Sequence, residues 1–145
     1  MTRILVVDDD PLIRAAIQAW LEAEKFEVVL ADEGRTGLKA LETSTFDLMI
    51  IDIFMPDMEG LESIRTFRHR APLMPIIAIS GAMIRQHRGW VPDFLGMSTR
   101  LGATYCLCKP FKPTELLQAI ERCLPAVPFG PKAGMMYMSA HADAP

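Results

Sequence analysis

Short apolar runs alternate with amphipathic stretches along most of this chain. Ile4-Leu5-Val6-Val7 is a continuous apolar run that ends in acids, the pattern of a strand buried on both faces of a parallel sheet. A helix start follows: Asp10 fits the cap position and Pro11 the first helical position. Leu12, Ile13, Ala16, Ile17, Trp20 and Leu21 then recur at helical spacing. Val28-Val29-Leu30 reads as a second strand, and Gly34 to Leu41 as a helix with Leu38 and Leu41 facing inward. Leu48-Met49-Ile50-Ile51 predicts a third strand ending at Asp52. Met55-Pro56-Asp57 and Gly60 mark a loop, and Leu61, Ile64 and Phe67 a third helix. Pro75 opens a fourth strand, Ile76-Ile77-Ala78-Ile79, which ends at Ser80-Gly81. Gly89, Pro92 and Gly96 interrupt the next stretch, so a loop and then a short helix from about Asp93 to Arg100 are expected. Tyr105-Cys106-Leu107-Cys108 reads as a fifth strand before Lys109-Pro110, and Leu116, Leu117, Ile120 and Leu124 mark the last helix, with Pro113 near its start.

Strands alternating with helices imply right-handed βαβ units and an α/β fold, a parallel sheet covered by helices on both faces. The length of 145 residues suits one domain with a real core. Residues 1–124 are expected to form that domain. From 125 to 145, Pro125, Pro128, Pro131 and Gly134 rule out a helix and suggest a largely disordered tail, in which Met135, Met136, Tyr137 and Met138 are the residues able to dock.

Composition narrows the classes. A formal net charge of -3 gives no footprint for nucleic acid. Basic residues gather at Arg65, Arg68, His69 and Arg70, and again at Arg85, His87 and Arg88; both clusters read as solvated faces. No apolar run is long enough to cross a membrane, and the first residues lack the core and cleavage site of a signal peptide, so a cytoplasmic protein is expected. Three cysteines, Cys106, Cys108 and Cys123, argue against a disulfide framework; Cys106 and Cys108 share one strand face and are expected to pack in the core.

Ligands of an open parallel sheet bind beyond the carboxyl ends of its strands. Asp8-Asp9-Asp10, Asp52, Ser80 and Lys109 all fall there. Crowded carboxylates need a cation, hard oxygen ligands suit magnesium, and an ammonium and a hydroxyl can hold phosphoryl oxygens. The set therefore suits phosphoryl transfer onto a carboxylate.

Ile4-Leu5-Val6-Val7-Asp8-Asp9-Asp10-Pro11, the run Asp52 to Gly60, Ile79-Ser80 and Lys109-Pro110-Phe111 together resemble the receiver domain of two-component response regulators, over about Thr2 to Leu124. The resemblance implies a flavodoxin-like, doubly wound, five-stranded parallel sheet of order 2-1-3-4-5. It implies that Asp52 accepts the phosphoryl group, and that Asp9 binds Mg2+ (or Mn2+) directly and Asp8 through water. The Phe54 backbone carbonyl would be a further metal ligand, with Asp52 completing the set. Lys109 would pair with the phosphoryl group or with Asp52, Ser80 would move to the phosphoryl oxygen, and Lys109-Pro110 would be a cis peptide. The donor would be a phosphohistidine on a histidine kinase or histidine phosphotransfer protein, and the output would reach an unidentified protein target, with no nucleic acid or membrane contacted.

Three features depart from the family. Cys106 stands where many receivers carry Tyr or Phe, and alternation sends Tyr105 to the opposite face. The interval from Ser80 to Lys109 is longer than usual around Ile84 to Asp93; Trp90 there either anchors a partner or folds back beside a shortened helix. The residues after Leu124 are too few for an output domain, so a stand-alone receiver is expected. Two other readings belong to different classes. One is an interaction module that keeps the fold without the phosphorylation switch. The other is a haloacid-dehalogenase-type phosphatase using Asp8 and Asp10, which leaves Asp52 unexplained and finds only Glu115 and Glu121 beyond the lysine within the fold, both on a helix.

Overall fold

The computed structural model describes residues 1–53, 59–80 and 99–124. Expectations for Phe54, the loop of Met55 to Asp57, the stretch of Ile84 to Asp93 with Trp90, the start of the short helix from Asp93, and the tail from 125 to 145 lie outside these residues, as does the side chain of Leu61.

The described elements are β1 (Arg3–Val7), α1 (Pro11–Ala23), β2 (Glu27–Ala31), α2 (Gly34–Thr43), β3 (Leu48–Asp52), α3 (Glu59–Arg70), β4 (Ile76–Ser80), β5 (Tyr105–Cys108) and α4 (Pro113–Cys123). Gly60, expected in the loop, lies in the first turn of α3. Residues 99–101 are also helical. All strand pairs are parallel and the order is β2-β1-β3-β4-β5, as the resemblance implied. Every residue of β3 and β4 is buried, which explains their unbroken apolar runs; the edge strands β2 and β5 are only partly covered.

Strand alternation divides the core into two layers. Ile4, Val6, Leu48, Ile50, Ile77 and Ile79 pack with Ile17 and Leu21 of α1 and Leu116 and Ile120 of α4. Leu5, Val7, Met49, Ile51, Ile76 and Ala78 pack with Ile64 and Phe67 of α3, and with Leu38 and Leu41 of α2. Tyr105 and Leu107 join the first layer and Cys106 the second, so Tyr105 does face away from Cys106.

Three further sequence expectations need correction. Leu12 fits the apolar stripe of α1 by spacing but is 79% exposed. At 100° per residue it sits about 140° around the helix from the buried Ile17. Arg68 is no solvated charge: its guanidinium donates to the carbonyls of Ala71, Pro72 and Met74 through Nη1 and to Gly102 through Nε and Nη2, at 2.6–3.1 Å. It ties the end of α3 to the entries of β4 and β5. Gly102 is at φ 131, and a Cβ there would stand 2.9 Å from the Arg68 side chain, so glycine lets the two approach. Finally, Cys106 packs against the second core layer as expected, but it and Cys108 are only half-buried, β5 being an edge strand.

Asp10 caps α1 as expected, accepting from the Leu12 amide at 2.9 Å with Pro11 behind it. The far end of α1 closes less comfortably. Lys25 is at φ 71, while Phe26 N–H bonds back to Leu21 and Lys25 N–H to Glu22. This is a helix-ending turn that favours glycine. Lys25→Gly is expected to raise stability by about 0.5–1 kcal/mol in urea unfolding, since relief of the left-handed strain exceeds the entropy glycine adds to the unfolded chain. A variant less stable than the parent would contradict this.

Candidate functional site

The register brings the strand ends level. Val7 pairs with Ile51, Asp52 with Ile79, and Ser80 with Cys108. The residues just past β1 and β5, Asp8 and Lys109, therefore share a rim with Asp52 and Ser80. Alternation sorts this rim as it sorts the core. Asp8, Asp52 and Lys109 continue the rows that face α1 and α4, whereas Ser80 continues the row of Ala78, beside Cys106 and Cys108.

The contacts follow that division. Lys109 Nζ lies 3.3 Å from Asp8 Oδ2 and 3.2 Å from Asp52 Oδ2, so one ammonium serves two carboxylates contributed by different strands. Asp8 is 1% exposed and Asp52 4%, while Asp9 is exposed. One oxygen from each of Asp8, Asp9 and Asp52 falls within 4.8 Å of the others. Ser80, also buried, meets the thiol of Cys108 at 3.7 Å, on the opposite row of the sheet from the two Lys109 ion pairs. Cys106 Sγ lies 3.5 Å from Thr99 Oγ1. Lys109-Pro110 is cis, and Lys109 N–H donates to Ser80 O at 2.7 Å.

Electrostatics makes this an unbalanced cluster. Burial, with the added repulsion of Asp52, pushes the Asp8 carboxyl up to about 6, against the lowering effects of the Asp10 amide and Lys109. Burial alone would lower the Lys109 ammonium, but Asp52 and Asp8 outweigh it and its affinity for a proton rises. Among the described residues, three carboxylates around one lysine leave negative charge in excess. Oxygen donors, a half-open rim and an unneutralised charge are what a small divalent cation requires.

The sequence-predicted residues Asp8, Asp9, Asp52 and Lys109 are thus brought together, Ser80 is one strand away, and Phe54 lies outside the described residues. Sequence reasoning missed Arg14. Its Nη1 donates to the backbone carbonyl of Asp8 at 2.5 Å, reaching from α1 over the turn that carries the acids. The available signal was an arginine one helical turn after the Asp10 cap.

The chain is similar to known proteins over most of its length. The family description "Response regulator receiver domain" matches residues 4–121. A probable transcriptional regulatory protein of Picosynechococcus sp. is 38% identical over 83% of this chain and 47% of its own length. The alkaline phosphatase synthesis transcriptional regulatory protein PhoP of Bacillus subtilis is 31% identical over 84% of this chain and 48% of its own length. The chain thus spans about half the length of these curated relatives. Among solved structures, a CheY-like receiver domain protein from Methanospirillum hungatei JF-1 superposes with a TM-score of 0.76 at 33% identity, covering 86% of this chain and 94% of its own. The chemotaxis protein CheY4 of Vibrio cholerae gives 0.74 at 31% identity, covering 86% and 99%. The family match begins within β1 and ends within α4, spanning every strand that contributes to the acidic rim, and the chain therefore belongs to the response regulator receiver domain family of two-component systems.

Proposed function

We propose that Asp52 accepts a phosphoryl group from a phosphohistidine, and that residues 1–124 form the unit that does so. The observation carrying this reading is the Lys109 ammonium shared between Asp8 and Asp52 with Asp9 alongside. Asp52 ends a fully buried strand, so its carboxylate is held at the rim by the sheet rather than by a loop. One of its oxygens attacks phosphorus, the P–N bond breaks, and the electron pair leaves on the donor imidazole. Lys109 holds a phosphoryl oxygen as charge shifts from donor to acceptor. Asp8, Asp9 and Asp52, with the carbonyl of Phe54, would hold Mg2+ or Mn2+, which supplies charge neutralisation at the phosphoryl oxygens. Ser80 then turns from Cys108 toward the new phosphoryl oxygen and biases the β4–β5 side of the domain between two states.

Ile13, Ala16, Ile17, Trp20, Pro110 and Phe111 line an apolar cleft of about 330 Å³ that opens beside Lys109. Its position next to the acceptor suits the cytoplasmic protein that presents the phosphohistidine, a histidine kinase or phosphotransfer protein. Trp20 meets Phe111 edge-on there, with ring centroids 6.2 Å apart, and braces the segment after Lys109.

The test is incubation with acetyl phosphate and Mg2+, followed by intact-mass and peptide-mass measurement. One metal-dependent phosphoryl adduct on the peptide containing Asp52 is expected. A folded protein that takes up no phosphoryl group would favour a second reading, an interaction module without the switch. That reading draws support from Cys106, whose thiol sits against Thr99 where many receivers carry an aromatic ring.

A further inference from the structure

We infer that Arg14 is a positioning residue for the divalent-cation site: by holding the Asp8 carbonyl it sets the direction of the Asp8–Asp9 peptide and so of the Asp9 carboxylate. The inference rests on the receiver reading and extends it to a side chain outside the acid–lysine set.

The turn from β1 to α1 is fastened on both sides of Asp9. Asp8 Oδ1 accepts from the Asp10 amide at 2.9 Å, and the Asp10 side chain accepts from the Leu12 amide. Arg14 N–H donates to the Asp10 carbonyl at 3.0 Å, as the helix requires, while its guanidinium reaches back to the Asp8 carbonyl. A peptide unit is planar, so fixing that oxygen fixes the plane that also carries the Asp9 nitrogen. Asp9 is the exposed member of the three-carboxylate cluster, and its own burial does little to orient it. A charge-assisted bond from a planar guanidinium is a stiff fastening, and it also satisfies a carbonyl at the buried end of β1.

Positioning and simple electrostatics predict opposite signs. Arg14 is a cation near a cation site, so if charge were all that mattered, removing it would tighten ion binding. If it positions Asp9, removing it weakens binding despite the lost repulsion. Outer partners of metal ligands typically change affinity by about ten-fold or more.

The experiment is a titration of the whole, unphosphorylated chain with Mn2+, reading unbound ion by electron paramagnetic resonance, for the parent, Arg14→Met and Arg14→Lys. Thermal unfolding of each is measured alongside. The expected result is one Mn2+ site in the parent, about ten-fold weaker binding in Arg14→Met, and an intermediate loss in Arg14→Lys, which keeps the charge but not the fork. Equal or tighter binding in a folded Arg14→Met overturns the inference, as does a lowered melting temperature in both variants with unchanged Mn2+ affinity. Arg14→Lys, the gentler change, decides the case if Arg14→Met does not fold. A parent that binds no Mn2+ removes the cation reading itself, and the inference with it.

Discussion

Asp52→Asn is expected to abolish phosphoryl uptake from acetyl phosphate altogether, while leaving a cooperatively folding protein. The amide is nearly the same size as the carboxylate and still offers an oxygen to Lys109, which stands 3.2 Å from Asp52 Oδ2. The sheet that carries it, with every residue of β3 buried, has no reason to rearrange. What the variant loses is the anionic oxygen able to attack phosphorus, which no positioning can replace. It also loses one donor of the three-carboxylate cluster, so cation affinity is expected to fall together with uptake. Intact mass resolves the first effect and Mn2+ titration the second. An adduct that survives in Asp52→Asn would transfer the acceptor role to Asp8 or Asp9 and sink the assignment.

The second large effect is a linkage of stability to pH and metal through Asp8. Its folded carboxyl titrates at about 6, against 3.8 for an unperturbed group. The folded state therefore binds this proton more tightly than the unfolded chain does. Between those two values the folded protein carries more protons, so metal-free stability falls as pH rises through the window and levels off above it. The total is at most about 3 kcal/mol, from 1.4 kcal/mol per pH unit. Lys109 adds no slope here: its raised affinity for a proton contributes stability throughout this range and loses it only above the ordinary lysine value of 10.5. Asp8→Asn should flatten the slope and, in metal-free buffer near neutral pH, be more stable than the parent. Mg2+ should stabilise the parent near neutral pH much more than at about pH 5, where Asp8 is largely protonated. Urea unfolding across the window, with and without Mg2+, checks both. Parent stability that does not change between about pH 4 and pH 6 would refute the linkage.

These two effects share a cause. The proposed phosphoacceptor role calls for carboxylates crowded at the strand ends, and crowding disfavours their ionised forms until a cation joins them. The fold tolerates the strain because the buried strands β1, β3 and β4, packed between two helical layers, hold the rim in place. Sites that trade stability for chemistry in this way commonly become more stable when their charges are removed.

The element order was legible from periodicity alone, because a strand buried on both faces reads as an unbroken apolar run and its covering helices read as stripes. Asp8, Asp9, Asp52, Ser80 and Lys109 were legible for a related reason: a polar residue straight after such a run lies at the rim, where ligands of a parallel sheet bind. The sheet order came from family resemblance, since periodicity does not say which strands are neighbours.

Other features depended on contacts between residues distant in sequence, or on small angles. Arg68 has the look of a basic surface residue in the sequence, and only the return of the chain at Gly102 supplies the carbonyl that two of its nitrogens bind. Leu12 matches the apolar stripe within the tolerance of a helical pattern, and only the actual facing of α1 turns it out to solvent. Cys106 and Cys108 are apolar enough for the core, but β5 is an edge, which leaves both only half-buried. Which residues stand at the strand ends follows from the chain's own pattern, because period and polarity are local properties. That one ammonium bridges Asp8 and Asp52, and that Arg14 reaches back to the turn after β1, follows only from the folded arrangement, because both contacts depend on parallel register and on the angle at which α1 leaves the sheet.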